Sequence, residues 1–167
     1  MSIPKIIHYC WFGGGPISPE NRKCMESWKK YCPDYKIIEW NEQNFDISTN
    51  RYAQQAYEAK KYAFVSDYVR LAVLYEYGGI YLDTDVELVR PLDELLELPG
   101  FMGFQNNNEV ATGLGFGAHK GNPVVQALLQ DYDALDFIKP DGSADLTPCP
   151  ERNTKVLQTL GARKDGT

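Results

Sequence analysis

The run Ala63-Phe64-Val65-Ser66-Asp67-Tyr68-Val69-Arg70-Leu71-Ala72-Val73-Leu74-Tyr75-Glu76-Tyr77-Gly78-Gly79-Ile80-Tyr81-Leu82-Asp83-Thr84-Asp85 decides how this sequence folds. Phe64, Tyr68, Leu71, Ala72 and Tyr75 recur at helical spacing and form one apolar face, so a helix is predicted over 63–77. Gly78-Gly79 ends it, because glycine tolerates the left-handed turn with which helices commonly close. Ile80-Tyr81-Leu82 then reads as a short strand with Asp83-Thr84-Asp85 at its end.

Alternate residues of an extended chain face the same way, so Asp83 and Asp85 are expected side by side, anchored by the apolar triplet before them. Two carboxylates that close repel each other unless a cation sits beside them. A hard divalent ion such as Mn²⁺ or Mg²⁺, bound by carboxylate oxygens and completed by substrate phosphates, fits that need. Taken alone, an Asp-x-Asp is also what a solvated strand-end turn looks like. On the preceding helix Asp67 and Arg70 stand three residues apart, beside Leu71 and Leu74. Two readings stay open: an intrahelical ion pair that satisfies both groups, or a pair in which Asp67 accepts hydrogen bonds from sugar hydroxyls while Arg70 donates to the same sugar or to phosphate.

Working outward, Lys5 to Phe12 is rich in β-branched and aromatic residues and stops at Gly13-Gly14-Gly15-Pro16, a buried strand ending in a loop. Ser18-Pro19-Glu20 offers an N-cap, a first-turn proline and an early acidic residue, so a helix is expected to about Tyr31. Further strands are expected over 35–40, 101–105 and 113–118. Further helices are expected over 53–60, 123–135 and 153–160, with a helical turn at 92–96 and an extended segment at 86–89. Residues 41–50 read as loop, 136–150 as a long loop rich in Pro, Gly, Asp and Ser, and 161–167 as a frayed tail. Strands alternating with helices imply an α/β domain with a mostly parallel central sheet flanked by helices, and one domain over 1–167 is the default.

Composition narrows the function. The 167 residues carry 23 acidic against 17 basic side chains, a net charge of −6, which is the wrong sign for holding nucleic acid through its phosphates. A phosphate ligand on such a chain needs local positive charge from Arg, Lys or a metal ion. The four cysteines, Cys10, Cys24, Cys32 and Cys149, show no C-x-x-C pair, and with two histidines they do not suggest a zinc site; reduced, buried thiols are expected. No apolar stretch is long enough for a signal peptide or a membrane span, so a cytoplasmic protein is expected, with peripheral association at the inner face of a membrane left open through a lipid acceptor.

With helix, double glycine, strand and acidic pair in register, the run from Ala63 to Asp85 resembles the sugar-binding region of glycosyltransferase family 32. That family takes in capsular polysaccharide transferases and initiation-of-outer-chain mannosyltransferases, and is distantly similar to the clostridial glucosylating toxins. The opening Ile3-Pro4-Lys5-Ile6-Ile7-His8-Tyr9-Cys10-Trp11-Phe12-Gly13-Gly14 and the later Pro91-Leu92-Asp93 also fit, so the resemblance covers about Ile3 to Tyr132. It implies a GT-A type nucleotide-diphospho-sugar transferase fold, a divalent metal and retention of anomeric configuration. The implied donor is a nucleotide-diphosphate sugar, UDP-hexose ahead of GDP-mannose, and the implied acceptor a glycan or lipid-linked sugar in surface or capsular polysaccharide synthesis.

Carried over by position, Asp67 and Arg70 contact the donor sugar, with Ser66 beside them. Asp83 binds sugar or ribose hydroxyls and reaches the metal, Asp85 is the direct metal ligand, and Trp11 stacks on the base. His8 is expected to be structural. The cluster Gln105-Asn106-Asn107-Asn108-Glu109 lies where the family's acceptor side begins. The sequence departs from the family after Leu160, where a C-terminal segment with aromatic and histidine residues is expected and not found. A truncated, catalytically inert nucleotide-sugar-binding module is therefore one rival reading. A phosphohydrolase is another, disfavoured because no further His-rich or Asp-rich motif offers a second metal site.

Overall fold

The structure, a computed structural model, describes residues 1–105 and 108–163. Asn106 and Asn107 of the polar cluster, and residues 164–167 of the expected tail, lie outside the described residues. The elements run β1 (Ile6–Cys10), α1 (Pro19–Tyr31), β2 (Lys36–Trp40), a 3-10 turn (Ile47–Thr49), α2 (Arg51–Glu58) and α3 (Tyr62–Tyr77). There follow β3 (Gly79–Tyr81), a second 3-10 turn (Asp93–Glu97), β4 (Gly100–Met102), β5 (Phe116–Ala118), α4 (Pro123–Asp131) and α5 (Cys149–Thr159).

The α/β class is as expected, and the five strands form one sheet in the order β2-β1-β3-β5-β4. The pairing adds one detail. β1 is parallel to β2 and β3, while β5 is antiparallel to both β3 and β4, so among the described strands β5 is the one reversed member of a sheet whose other strands all run the same way. No helix is assigned between β4 and β5 among the described residues, and a direct return of the chain leaves neighbouring strands antiparallel, whereas parallel neighbours need a crossover.

Alternation along the strands divides the core between the two faces of the sheet. Ile7, Tyr9, Ile80 and Leu82 point to one face and meet Trp28 of α1 and Cys32 just after it, together with Leu96. Cys10, Tyr81 and Phe116 point to the other and meet Val65, Val69, Leu71 and Leu74 of α3 and Val125 and Leu128 of α4. α3 is therefore covered by the sheet on one side and by helices on the other.

The turn between α3 and β3 shows why two glycines stand there. Gly78 and Gly79 have φ of 68° and 120°, and a Cβ on Gly79 would run into the carbonyl of Ile6 and the ring of His8. His8 is fully buried, its Nδ1 accepts from Trp40 Nε1 at 3.0 Å and its Nε2 lies 2.8 Å from the Gly78 carbonyl. An indole can only donate, so the imidazole proton is on Nε2 and the ring is neutral, a structural role as expected. Burial accordingly lowers its pKa below the ordinary 6.5.

Other boundaries differ from expectation for local reasons. α2 starts at Arg51 because Asn50 caps it, its Oδ1 accepting from Ala53 N at 2.9 Å. Residues 86–89 form no strand; α1 side chains hold them instead, with Trp28 Nε1 donating to Val86 O at 2.8 Å and Leu88 N donating to Ser27 Oγ at 2.8 Å. α5 begins at Cys149, four residues before the expected start at Asn153, and cuts into the expected loop, within which Ile138 and Ala144 make an isolated bridge. The four cysteines are free, and Cys10, Cys32 and Cys149 are buried.

Candidate functional site

The strand that carries the acidic pair stays attached to the sheet for two residues beyond β3, with Leu82 N donating to His8 O at 3.1 Å and Asp83 N to Gly113 O at 3.0 Å. There the extended geometry ends. Val86 N donates back to Asp83 O at 3.1 Å, so Asp83 to Val86 is a turn and not the continuous strand that the alternation argument assumed. The cause lies on α1: Asn21 Nδ2 donates to Thr84 Oγ1 at 2.9 Å and draws that side chain inside. Asp83 and Asp85 nevertheless face one cleft of about 380 Å³, walled by Ala63, Phe64, Asp67 and Arg70 of α3, by residues 111–114, and by Pro148, Cys149 and Pro150.

Of the two readings of the Asp67 and Arg70 pair, the structure shows the ion pair, and it extends it to a third residue. Arg70 Nη1 lies 3.1 Å from Asp67 Oδ1, an intrahelical ion pair, while Nη2 lies 3.2 Å from Asp83 Oδ1 and ties the helix to the acidic turn. Tyr81 Oη donates to the same Asp83 oxygen at 2.8 Å, and its ring lies under the guanidinium, 5.0 Å from Cζ to centroid. Burial pushes the Asp67 carboxyl up to about 6, with Asp83's charge adding to the rise and Arg70 opposing it. Burial acts to lower the Arg70 pKa, yet the surrounding acidic groups, Asp83 foremost, hold it above its ordinary value. The guanidinium is thus a fixed cation, and Asp67 is a carboxylate whose charge the fold resists.

Asp83 and Asp85 fit a divalent ion. Asp83 Oδ1 takes both hydrogen bonds, leaving Oδ2 without one, and Asp85 is exposed with no hydrogen-bond or ion-pair partner among the described residues. Gly113 makes room for Asp83 Oδ2, because a Cβ at residue 113 would fall on it. Among the described residues no three His, Cys, Asp or Glu side chains gather as a metal cage, and an ion held by these two carboxylates would leave positions open to phosphate oxygens.

Other expected site residues lie elsewhere. Ser66 Oγ is bonded back to Tyr62 O at 3.1 Å, and Trp11 is half-buried with Nε1 donating to Gly15 O at 2.7 Å; neither lines the cleft. Gln105 does line it, and its amide donates to Glu109 at 3.1 Å. Tyr81, Thr112, Gly113, Cys149 and Asn153 were not singled out by sequence. Only Tyr81 carried a signal, standing two residues before Asp83 on the same face of the strand. Among the described residues no helix is long and apolar enough to cross a membrane.

The model of the glycosyltransferase sugar-binding region containing the DXD motif matches residues 18–101, just over half of the chain. The chain is 29% identical over 151 residues to inositol phosphoceramide mannosyltransferase 3 of Schizosaccharomyces pombe, covering 81% of this chain and 39% of that one. It is 33% identical over 111 residues to the mannosyl phosphorylinositol ceramide synthase SUR1 of Saccharomyces cerevisiae, covering 60% and 27% respectively. The chain thus spans well under half the length of these curated relatives. Among solved structures, the PaToxG glycosyltransferase superposes with a TM-score of 0.70 at 20% identity, over 95% of this chain and 69% of that one. At that identity the likeness bears on the fold alone, and the fold is of the GT-A type.

Proposed function

Because the chain belongs to the glycosyltransferases whose sugar-binding region contains the DXD motif, we propose that the cleft between α3, the Asp83–Val86 turn and α5 binds a nucleotide-diphosphate sugar and passes its hexose to an acceptor. The observation that carries this reading is the arrangement of Asp67, Arg70 and Asp83, ion-paired into one unit, with the carboxylate of Asp85, unpartnered among the described residues, facing the same space. Asp67 offers acceptor oxygens to sugar hydroxyls. Arg70 bridges Asp67 and Asp83 and supplies positive charge where the leaving diphosphate gathers negative charge. Asp83 through Oδ2, and Asp85 through its free carboxylate, would hold Mn²⁺ or Mg²⁺, which supplies further stabilisation of that leaving group.

Asp67 and Asp83 are committed to Arg70, so neither is a free nucleophile. That favours a front-face transfer with retention, in which the departing diphosphate takes the acceptor's proton. For the nucleotide, the sequence resemblance favours UDP-hexose. GDP-mannose is the second reading, favoured by the mannosyl transfer named in the yeast relatives. Those names also favour a lipid-linked acceptor at a membrane surface over a capsular glycan.

Calorimetric titration of UDP, GDP and their hexose conjugates with Mn²⁺, then with chelator, and with Asp85→Asn as control, tests the reading. Metal-dependent binding of one nucleotide sugar, lost in Asp85→Asn, together with slow donor hydrolysis, is expected. Binding without hydrolysis would establish the inert module instead, and no binding by any of them would remove the donor reading from this chain.

A further inference from the structure

Among the described residues lining the cleft, Arg70 is the one cation, and its position is set from an unexpected direction. Its Nη1 lies 3.3 Å from Thr112 Oγ1 and 3.6 Å from Cys149 Sγ as well as 3.1 Å from Asp67. The Thr112 hydroxyl donates to Asn153 Oδ1 at 3.2 Å, and the Cys149 thiol donates to the same oxygen at 3.0 Å. Thr112 Oγ1 and Cys149 Sγ also lie 3.3 Å apart, and each atom carries lone pairs that can accept from a guanidinium, which can only donate. Thr112 and Asn153 are fully buried and Cys149 nearly so, which makes each partner costly to lose.

We propose that Thr112 and Cys149, both oriented by Asn153, are positioning residues that hold Arg70 astride Asp67 and Asp83. Without them Nη1 keeps only Asp67, and the guanidinium is free to turn as a two-pronged pair onto either carboxylate. Thr112 also precedes Gly113, whose carbonyl receives Asp83 N, so one short segment fixes both the cation and the acidic turn. α5 contributes through Cys149 and Asn153, and its first turn walls the cleft, so the helix couples to the site although it lies outside the matched region 18–101.

The catalytic consequence rests on the donor reading above, so the test separates the two. The first readout is the side-chain ¹⁵N–H spectrum of Arg70 in the free protein, which needs no ligand. Slowly exchanging guanidinium signals are expected in the wild type, lost in Thr112→Val and Cys149→Ala, and regained in Thr112→Ser and Cys149→Ser. The second readout is donor hydrolysis, where kcat is expected to fall roughly ten- to a hundredfold in Thr112→Val, the scale of a misplaced catalytic group. Restoration of kcat by Thr112→Ser distinguishes positioning from a general loss of packing. Arg70 signals that survive Thr112→Val and Cys149→Ala overturn the proposal, whatever the activity does. If the wild type hydrolyses no donor, the functional reading falls and the Arg70 spectrum alone decides the positioning.

Discussion

Replacing Asp67 with Asn should make the protein more stable at neutral pH and leave it little changed in acid. Asp67 is carried from the ordinary aspartate value of 3.8 up to about 6, chiefly by burial. The proton is therefore bound more tightly in the folded state than in the unfolded one, and the advantage of the protonated form is complete below about pH 4. As pH rises towards 6 the unfolded chain releases its proton first, so folding stability declines across that window. From 3.8 to about 6 corresponds to about 3 kcal/mol at 1.36 kcal/mol per tenfold change in acidity. Asn mimics the protonated side chain and keeps an acceptor for Arg70, so Asp67→Asn should gain that amount over wild type by pH 7. For a chain of this length that is ~6–12 °C in Tm. Urea unfolding of both proteins at half-unit steps from pH 4 to 7.5 measures the difference, and any ionisation common to both cancels. A difference that stays flat, or that favours wild type increasingly as pH rises, would show Asp67 to be an ordinary ion-pair partner of Arg70 and refute the claim that burial dominates.

Four further outcomes are expected. Gly113→Ala should weaken metal-dependent donor binding at least tenfold in calorimetry, because the new methyl displaces Asp83 Oδ2, while the circular dichroism spectrum keeps its native form. Asn21→Ala should lower stability by about 1 kcal/mol in urea, the net worth of one hydrogen bond, and loosen the acidic turn so that donor affinity falls several-fold. Tyr81→Phe should cost donor affinity a similar several-fold factor by removing one of the two donors to Asp83 Oδ1, read by the same titration. The His8 ring should stay neutral in ¹⁵N spectra as pH passes 6.5. Since its folded pKa lies below that of the unfolded chain, its contribution to stability is present above 6.5 and is lost as pH falls below it.

What the sequence revealed follows from where the information sits. The helix from Tyr62, the double glycine, the short strand and Asp83 are contiguous, and each is dictated by periodicity or by a backbone angle that few residues adopt. Asp67 and Arg70 are one helical turn apart, so their ion pair was legible as an alternative from spacing alone. The turn at Thr84 was not legible, because a buried hydrogen bond from Asn21, sixty-three residues upstream, overrides the extended preference of the local chain. The reversal of β5 was not legible either: a strand's neighbour is set by the path of the connection, which composition does not encode.

The least legible part of the site is the first turn of α5, and the cause is a local signal that points two ways. Pro148 and Pro150 flank Cys149 at the end of a stretch rich in Asp, Gly and Ser, and proline in such company reads as loop. The first turn of a helix is the one place where proline does no harm, since the amides it lacks have no intrahelical acceptor there and its fixed φ already suits the helix. Pro148 as N-cap and Pro150 in the first turn are therefore start signals as much as stop signals. Only packing decides between them: Leu157 joins the core around α3 and α4, and Asn153 is drawn beneath Thr112. The helix that this packing selects carries Cys149 to Arg70 and Asn153 to Thr112, so two of the three residues around the cation come from the part of the chain where local sequence says least about structure.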